Sequence, residues 1–272
     1  MTLLAPFLCV LVGMLVVMSA AWVTQRAARN AGWVDVFWTL GTGASCVAVA
    51  LWASDHAVIQ RQTLVAALGA IWSIRLGLYV AVRVARSKDE DARYAGLRKE
   101  WGKDFQSRMF ALVIVQAPAT ALLTLSVLVA AHGGAATGLG LRDLLGALVL
   151  AIAIGGEGLA DEQMRRFKQT PGHGRIMDRG LWAWSRHPNY FFEWIGWLAY
   201  PVIAFDIASP ITWITLIAPA IMYLILRFGT GVPALEKIML ESRGDAFRDY
   251  QSRVSAFIPQ PPRSPSSQRN AS

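Results

Sequence analysis

The sequence predicts an all-α, polytopic integral membrane protein with about seven transmembrane helices. Its 272 residues are 54% hydrophobic and only 16% charged, whereas a soluble domain carries about 25% charged residues. Seven apolar stretches approach the roughly 20 residues that a helix needs to cross a hydrocarbon core. The Lys and Arg residues lie between these stretches in an alternating pattern that is typical of a multi-pass protein.

The seven stretches differ in length, and the fifth and sixth are the shortest, at 16 residues each. The first has no basic segment before it and is longer than the roughly 7–15 apolar residues of a signal peptide, so it is interpreted as a helix. The predicted spans are Leu3–Val23, Val34–Trp52, Thr63–Val82, Met109–Ala131, Leu144–Leu159, Tyr190–Phe205 and Ile211–Phe228.

The basic residues predict the orientation of the spans. Of the 26 Lys and Arg residues, 22 lie in the segments that follow spans 1, 3, 5 and 7. Only Arg61 and Arg142 lie in the segments after spans 2, 4 and 6, while Arg75 and Arg227 lie within spans. By the positive-inside rule, the N-terminus is outside and the C-terminus is cytoplasmic, which predicts a multi-pass protein of the cell (inner) membrane.

The tail, the cysteines and the net charge give further expectations about domains, metal sites and partners. Residues 1–262 form one predicted transmembrane domain, whereas residues 263–272 are rich in Pro and Ser and are predicted to be a disordered cytoplasmic tail. Cys9 and Cys46 both lie in apolar runs, so neither a disulfide framework nor a metal site is expected. Topology accounts for most of the net charge of +8, and no nucleic-acid partner is expected.

Ionisable residues inside the spans mark a candidate site, because each costs about 2.5–3.5 kcal/mol or more at the centre of a helix. Arg75 and Tyr79 of span 3 and Arg83, directly after it, lie at positions i, i+4 and i+8, on one face of the helix. This row predicts a polar cavity that opens to the cytoplasm. The alternative is that Arg75 pairs with Asp35 or a glutamate as a buried packing bridge.

The segment Gly180–Trp194, GLWAWSRHPNYFFEW, is the most informative part of the chain. It places Arg186, His187, Asn189 and Tyr190 at the cytoplasmic start of span 6. A helix N-terminus with these side chains and its own backbone N–H groups is suited to bind an anion. The alternative is a basic collar that binds lipid headgroups.

This segment resembles the steroid 5α-reductase-like membrane family, specifically its bacterial branch. The superfamily also contains sterol reductases and isoprenylcysteine carboxyl methyltransferases, and RHPNY combines elements of both, so this motif alone does not separate NADPH from S-adenosylmethionine. The resemblance covers about residues 30–262 and is carried by VDVFW, IRLGLY, GRIMDRGLWAWSRHPNYFFEWIGWLAYP, FGTGVPALEKIML and YQSRVSAFIPQPP. It implies a seven-span fold with a cytoplasm-facing NADPH cavity, whose motifs lie in residues 144–262.

The resemblance also implies a set of cofactor-binding residues. The family pattern Asn-x-x-x-Asp-x-x-x-Arg-x-x-Arg at the end of span 5 is matched in part, with Glu157 in place of the asparagine and Lys168 in place of the last arginine. Apart from the resemblance, the segment after span 7 predicts an amphipathic helix, on which Glu236 is expected to cover the cofactor; the alternative is that this helix caps the membrane surface. The predicted cofactor-binding residues are Glu157, Asp161, Arg165, Lys168, Arg186, His187, Asn189, Tyr190, Glu193, Arg227 and Glu236.

The resemblance implies catalytic residues on spans 2 and 3. The steroid reductases polarise the substrate carbonyl with a Gln-Glu pair on span 2 and a Tyr on span 3. Here Asp35 stands for the glutamate, Val34 stands in place of the glutamine, and Tyr79 is the candidate tyrosine. The expected reaction is hydride transfer from NADPH to the β-carbon of an enone in a lipid-soluble substrate. Tyr79, hydrogen-bonded with Asp35 or Arg75, is expected to donate to the carbonyl oxygen.

The expected partners are a lipophilic small molecule and membrane lipid, with no metal and no obligate protein partner. Two other functions are compatible with the sequence. One is an S-adenosylmethionine-dependent methyltransferase of the same superfamily, acting on a lipid or prenylcysteine-type substrate, whose cofactor has no phosphate and needs fewer arginines. The other is a non-enzymatic small transporter or lipid-binding membrane protein.

Overall fold

Helices account for every regular element among the residues that the computed structural model describes, which are 3–54, 58–87, 89–133, 138–170 and 176–263. The all-α class is therefore confirmed for these residues, and the predicted tail lies outside them from position 264 onward. Short 3-10 turns cover Gly102–Asp104, Gly180–Ala183 and Pro210–Leu216. The α-helices are α1 (Leu4–Ala28), α2 (Gly32–Ala50), α3 (Ile59–Arg86), α4 (Ala92–Trp101), α5 (Phe105–Ile114), α6 (Gln116–His132), α7 (Leu141–Gln169), α8 (Pro188–Trp197), α9 (Ala199–Ala204), α10 (Ile217–Phe228), α11 (Val232–Arg243) and α12 (Asp245–Arg253).

Six helical stretches among the described residues are long and apolar enough to cross a membrane. They coincide with predicted spans 1–5 and 7, and the chain is therefore a multi-pass membrane protein. The six stretches are Leu4–Ala28, Gly32–Ala50, Ile59–Arg86, Ala92–His132, Leu141–Gln169 and Pro210–Arg243.

Predicted span 6, Tyr190–Phe205, forms two short helices instead of one long helix. α8 ends at Trp197, α9 begins at Ala199, and α9 contains Pro201. A proline has no N–H group, and its ring clashes with the carbonyl four residues earlier, here that of Trp197, so a continuous α-helix is broken at this point. Neither piece has the length of a span, so helix length supports six spans where the sequence predicts seven.

The chain forms two compact units. The first consists of residues 1–150 and 197–221, which contain α1–α6, the beginning of α7, α9 and the beginning of α10. The second consists of residues 151–196 and 222–272, which contain the rest of α7, nearly all of α8, the rest of α10, α11 and α12.

In the first unit, α2 and α3 pack at short distance through small residues. A Cβ added at Gly43 would lie 2.0 Å from the Cβ of Ser73, and one added at Gly77 would lie 2.5 Å from the Leu40 side chain. The hydroxyl of Ser73 donates to the carbonyl oxygen of Thr39 at 2.9 Å. Close backbone approach and polar bonds of this kind hold helices together within a membrane. The glycines therefore fix α3, and with it the predicted catalytic row, against α2.

At one end of the first unit, the connectors after spans 1 and 3 contact each other. The N–H of Ala31 donates to Oε1 of Glu90 at 2.9 Å, and Nη2 of Arg93 donates to Oδ2 of Asp35 at 2.6 Å. The hydroxyl of Tyr94 donates to the other oxygen of Asp35 at 2.7 Å. These bonds bring together two connectors that the alternation of basic residues assigns to the same side.

At the other end of the first unit, Arg61 and Asp143 form a buried ion pair. Nε and Nη2 of Arg61 donate to Oδ1 and Oδ2 of Asp143 at 2.7 and 2.9 Å, and both side chains are less than a tenth exposed. Nη1 of Arg61 also donates to the carbonyl oxygen of Gly133, and the N–H of Gly140 donates to Asp143, each at 2.8 Å. No sequence pattern indicates this pair, because its members are 82 residues apart.

Candidate functional site

The predicted site residues divide between the two units. The eleven residues predicted to bind the cofactor, from Glu157 to Glu236, all lie in the second unit. The three predicted catalytic residues, Asp35, Arg75 and Tyr79, all lie in the first. The two predicted groups therefore belong to separately packed parts of the chain.

In the second unit, the end of α7 holds the turn that precedes the RHPNY segment (residues 186–190). Gly180 has a φ of +59°, a left-handed conformation that favours glycine, and a Cβ there would lie 2.7 Å from Oε1 of Gln163. The same oxygen accepts from the N–H of Leu181 at 3.0 Å. The indole N–H of Trp182 donates to the carbonyl oxygen of Ala160 at 3.1 Å. These bonds position the chain at its entry into the RHPNY segment.

Glu236 accepts hydrogen bonds from three side chains of the second unit. Its Oε1 accepts from Nε of Arg186 at 2.7 Å and from Nε2 of His187 at 3.2 Å, and its Oε2 accepts from Gln251 at 2.7 Å. A carboxylate only accepts, so Nε2 of His187 carries the proton in this contact. Nη1 of Arg186 donates in addition to the carbonyl oxygens of Gln251 and Val254. The guanidinium of Arg186 is therefore hydrogen-bonded to a carboxylate and to two backbone carbonyls of the protein, and these bonds hold the RHPNY segment in position.

The C-terminal strap, Val254–Arg263, runs beside the RHPNY segment. The N–H of Arg186 donates to a carbonyl oxygen of the strap at 2.8 Å. The hydroxyl of Ser185 donates to the carbonyl oxygen of Phe257 at 2.8 Å and accepts from the N–H of His187 at 3.1 Å. Ser185, which is fully buried, therefore connects the strap to His187. The sequence indicates the strap only through the YQSRVSAFIPQPP resemblance.

The ring of Phe257 anchors the strap in an aromatic cluster. It packs edge-to-face against Phe191, Trp194 and Tyr223, with ring centroids 5.5–6.2 Å apart. Phe191 and Trp194 belong to α8, and Tyr223 belongs to α10. Because aromatic side chains bury large apolar areas in such contacts, the cluster joins α8, α10 and the strap into one packed group.

The start of α8 carries three more residues of the predicted cofactor set. The ring of Tyr190 stacks on that of His187, with centroids 5.7 Å apart and an interplanar angle of 12°. Asn189 is partly exposed in the first turn, and Glu193 is buried one turn further along. The N-terminus of α8 thus combines an amide, an aromatic ring and a neighbouring imidazole.

The predicted residues of α7 divide by burial. Glu157 and Asp161, one turn apart, are buried, whereas Arg165 and Lys168 are exposed. Nε and Nη2 of Arg165 donate to the carboxylate of Glu162 at 2.6 and 2.7 Å, an i,i+3 pair of the kind found on solvated helices. The two acidic residues of the partial family pattern are therefore buried, and its two basic residues lie at the surface.

The buried carboxylates of the second unit, Glu157, Asp161 and Glu193, are suited to accept hydrogen bonds. In the part of the chain that the structure describes, no three His, Cys, Asp or Glu side chains are grouped so as to hold a metal ion. Ionised carboxylates are acceptors only, and hydroxyl and amide groups are their natural partners. These residues therefore suit a ligand that carries ribose hydroxyls or a carboxamide.

His187 lies in a strongly charged setting. Burial lowers its pKa below the ordinary value, against the raising effect of Glu236, and the positive charges of Arg186 and Arg227 add to the lowering. The guanidinium carbon of Arg227 also lies 5.0 Å from the ring centroid of Phe228. His187 is therefore neutral at pH 7, and Arg227 is close enough to influence it.

We expect the thermal stability of the protein to fall when the pH is lowered below about 6.5, the ordinary pKa of histidine. In that range the unfolded chain binds a proton that folded His187 does not, so the stabilisation is present above this pH and is lost below it. The melting temperature in detergent should therefore be lower at about pH 5.5 than at about pH 7.5, and His187 should account for part of this difference. His187→Gln should remove this part of the difference, and an unchanged difference would contradict the assignment.

In the first unit, the side chains of the predicted row on α3 lie close together. The guanidinium carbons of Arg75 and Arg83 lie 5.6 and 5.9 Å from the ring centroid of Tyr79, within the range of cation–π attraction. The carboxylate of Asp35 accepts hydrogen bonds from Arg93 and Tyr94 of α4. Tyr79 is therefore flanked by two positive charges, and Asp35 anchors α4 to α2.

Residues 21–254 match a family described as "Protein of unknown function (DUF1295)". No curated protein and no solved structure matches the chain.

Proposed function

The chain belongs to the DUF1295 family, and we propose that it is an NADPH-dependent membrane reductase of carbon–carbon double bonds conjugated to a carbonyl. The substrate is a lipid-soluble enone, steroid-like or of another class. The observation that supports this most directly is the bracing of the RHPNY segment at the start of α8 by Glu236 and the C-terminal strap. A helix N-terminus held in this way is prepared to receive an anion.

The donor set of the second unit fits a phosphorylated dinucleotide. The exposed Arg165 and Lys168 supply positive charge for phosphate groups, and planar guanidinium binds phosphate bidentately. The buried Glu157 and Asp161 supply acceptors for ribose hydroxyls. Asn189, in the first turn of α8, supplies both a donor and an acceptor for a carboxamide. Arg186, engaged by Glu236, acts in this proposal as a positioning residue.

NADPH, when bound, supplies the hydride, and residues of the first unit act on the carbonyl of the substrate. The hydroxyl of Tyr79 donates a hydrogen bond to the carbonyl oxygen, where negative charge develops during reduction. Arg75 and Arg83, both within 6 Å of the Tyr79 ring, stabilise that charge. In this proposal Asp35 of α2 contributes by holding α4 through its hydrogen bonds with Arg93 and Tyr94.

The proposal retains seven spans, with the N-terminus outside and the C-terminus cytoplasmic. The contacts between connectors assigned to the same side support this alternation, since Ala31 meets Glu90 and Arg186 meets Glu236. In this arrangement α8 and α9 together make the sixth crossing. The cofactor then reaches the protein from the cytoplasm.

The cofactor test uses the purified protein in detergent, titrated with NADPH and, in parallel, with S-adenosylmethionine. Saturable NADPH binding together with enone-dependent NADPH oxidation is the expected result. One observation supports the methyltransferase as second candidate: the three buried carboxylates also suit a cationic, phosphate-free cofactor. Binding of S-adenosylmethionine alone would establish that candidate, and binding of neither would favour the transporter or lipid-binding protein.

Tyr79→Phe is expected to lower the rate constant of enone reduction by about 10²–10⁴-fold, because the proton donor is lost while the ring stays in place. The dissociation constant of NADPH should not change, since in this proposal the hydroxyl of Tyr79 acts on the carbonyl of the substrate and not on the cofactor. Steady-state NADPH oxidation and fluorescence titration measure the two quantities. Tyr223→Phe, which retains the aromatic contacts of α10, is the matched control and should keep full activity.

A further inference from the structure

The end of the second unit folds back on itself and encloses a polar cleft. The N–H of Arg263 donates to the carbonyl oxygen of Arg253 at 2.9 Å and closes a loop formed by the strap. The cleft inside this loop has a volume of about 240 Å³. The lining residues with polar side chains are Arg186, Gln251, Ser252, Arg253, Ser255, Gln260 and Arg263.

The charge of this cleft is positive. Three of its lining residues are arginines and none is acidic. Arg186 pairs with Glu236, and Arg253 pairs with Asp249 and Asp178; all three carboxylates lie outside the lining. The side chain of Arg263 is exposed, and no carboxylate lies within 4.0 Å of it among the described residues. Guanidinium, amide and hydroxyl donors around a small volume are the groups that bind a phosphate.

Exposed apolar side chains lie next to the cleft. Trp184 is 48% exposed and Ile258 is 47% exposed. The N–H of Gln260, a lining residue, donates to the carbonyl oxygen of Trp184 at 2.9 Å, and Ile258 lies two residues earlier in the strap. Exposed tryptophan beside basic residues is characteristic of the membrane–water interface.

We propose that this cleft binds the phosphate group of an anionic phospholipid, with Trp184 and Ile258 inserted at the level of the headgroups. The cleft shares Arg186 with the RHPNY segment, but the proposal does not depend on the reductase activity. Arg253 and Arg263 contact the phosphate, while Arg186 forms the inner wall and keeps its bond to Glu236. The lipid thereby holds the strap, and through Ser185 the RHPNY segment, at the membrane surface.

Arg263→Gln tests the proposal cleanly, because the backbone N–H that closes the loop is unchanged. In nanodiscs, retention of phosphatidylglycerol relative to phosphatidylcholine, read by native mass spectrometry after extraction, should fall about fivefold. The matched control is Arg248→Gln, whose exposed side chain pairs with Asp245 outside the cleft. It removes the same charge and should keep the wild-type lipid preference.

Three outcomes would overturn the proposal. An equal loss of phosphatidylglycerol in both variants would mean that only net charge matters. Inorganic phosphate that binds in detergent and depends on Arg263, with lipid retention unchanged, would assign the cleft to a free anion. A parallel loss of NADPH affinity in Arg263→Gln would assign the cleft to the dinucleotide. A failure of the reductase proposal alone leaves the lipid measurement unaffected.

Discussion

Asp143→Ala is expected to lower the free energy of unfolding by about 3–5 kcal/mol, because it leaves the buried guanidinium of Arg61 without its carboxylate. The two side chains are 2% and 8% exposed and are joined by two parallel hydrogen bonds. Removing one member of a buried pair costs more than the pair itself contributes, since the remaining charge is poorly solvated. Denaturant or thermal unfolding in detergent, followed by circular dichroism, measures the change.

Two further variants distinguish the effect of burying an unpaired charge from the effect of removing a carboxylate. Asp245→Ala removes a carboxylate from an exposed i,i+3 pair with Arg248 and should leave stability unchanged within error. The double variant Arg61→Leu with Asp143→Leu should recover much of the lost stability, because both charges are then absent. If Asp143→Ala unfolds at the same point as Asp245→Ala, the buried pair does not stabilise the first unit.

Glu236→Ala is expected to raise the dissociation constant of NADPH by about 100-fold or more, equivalent to about 2.7 kcal/mol. The carboxylate is the common acceptor for Arg186, His187 and Gln251. Truncation of one partner of a buried, hydrogen-bonded charge pair costs about 2–5 kcal/mol, so the RHPNY segment should lose its defined position. Fluorescence titration with NADPH in detergent measures the effect.

The control for Glu236→Ala lies on the same helix. Glu241 is exposed on α11, and Glu241→Ala should bind NADPH as the wild type does. Glu236→Gln keeps one acceptor oxygen and should give an intermediate dissociation constant. Wild-type affinity in Glu236→Ala would show that the cofactor does not depend on this cluster.

The spans illustrate what local sequence properties predict well. Leu4–Ala28 and Ile59–Arg86 follow from their hydropathy alone, because a helix in lipid is selected by the summed transfer energies of its own residues. Helix length does not confirm predicted span 6, because Pro201 interrupts this stretch and divides it into α8 and α9. Hydropathy is summed over about 20 residues, whereas the helix break depends on a single proline that has no backbone N–H to donate.

The candidate site shows a similar division. The RHPNY segment and Glu236 are recognisable from the sequence as functional candidates, and the structure brings Arg186, His187 and Glu236 into contact. The sequence did not indicate that Arg186 bonds Glu236 and backbone carbonyls, or that Asp35 accepts hydrogen bonds from Arg93 and Tyr94 of α4. Such pairings depend on competition among all nearby donors and acceptors, which spacing along the chain does not describe.

The sequence by itself determined the all-α class, the multi-pass membrane character and six helices long and apolar enough to cross a membrane among the described residues, because each follows from hydropathy summed along short segments. Only the tertiary structure decided which charges pair. Arg61 meets Asp143 across 82 residues, and Arg186 meets Glu236 across 50. The physical reason is that insertion into a membrane is a local transfer energy, whereas an ion pair forms only where packing brings two distant side chains within about 3 Å.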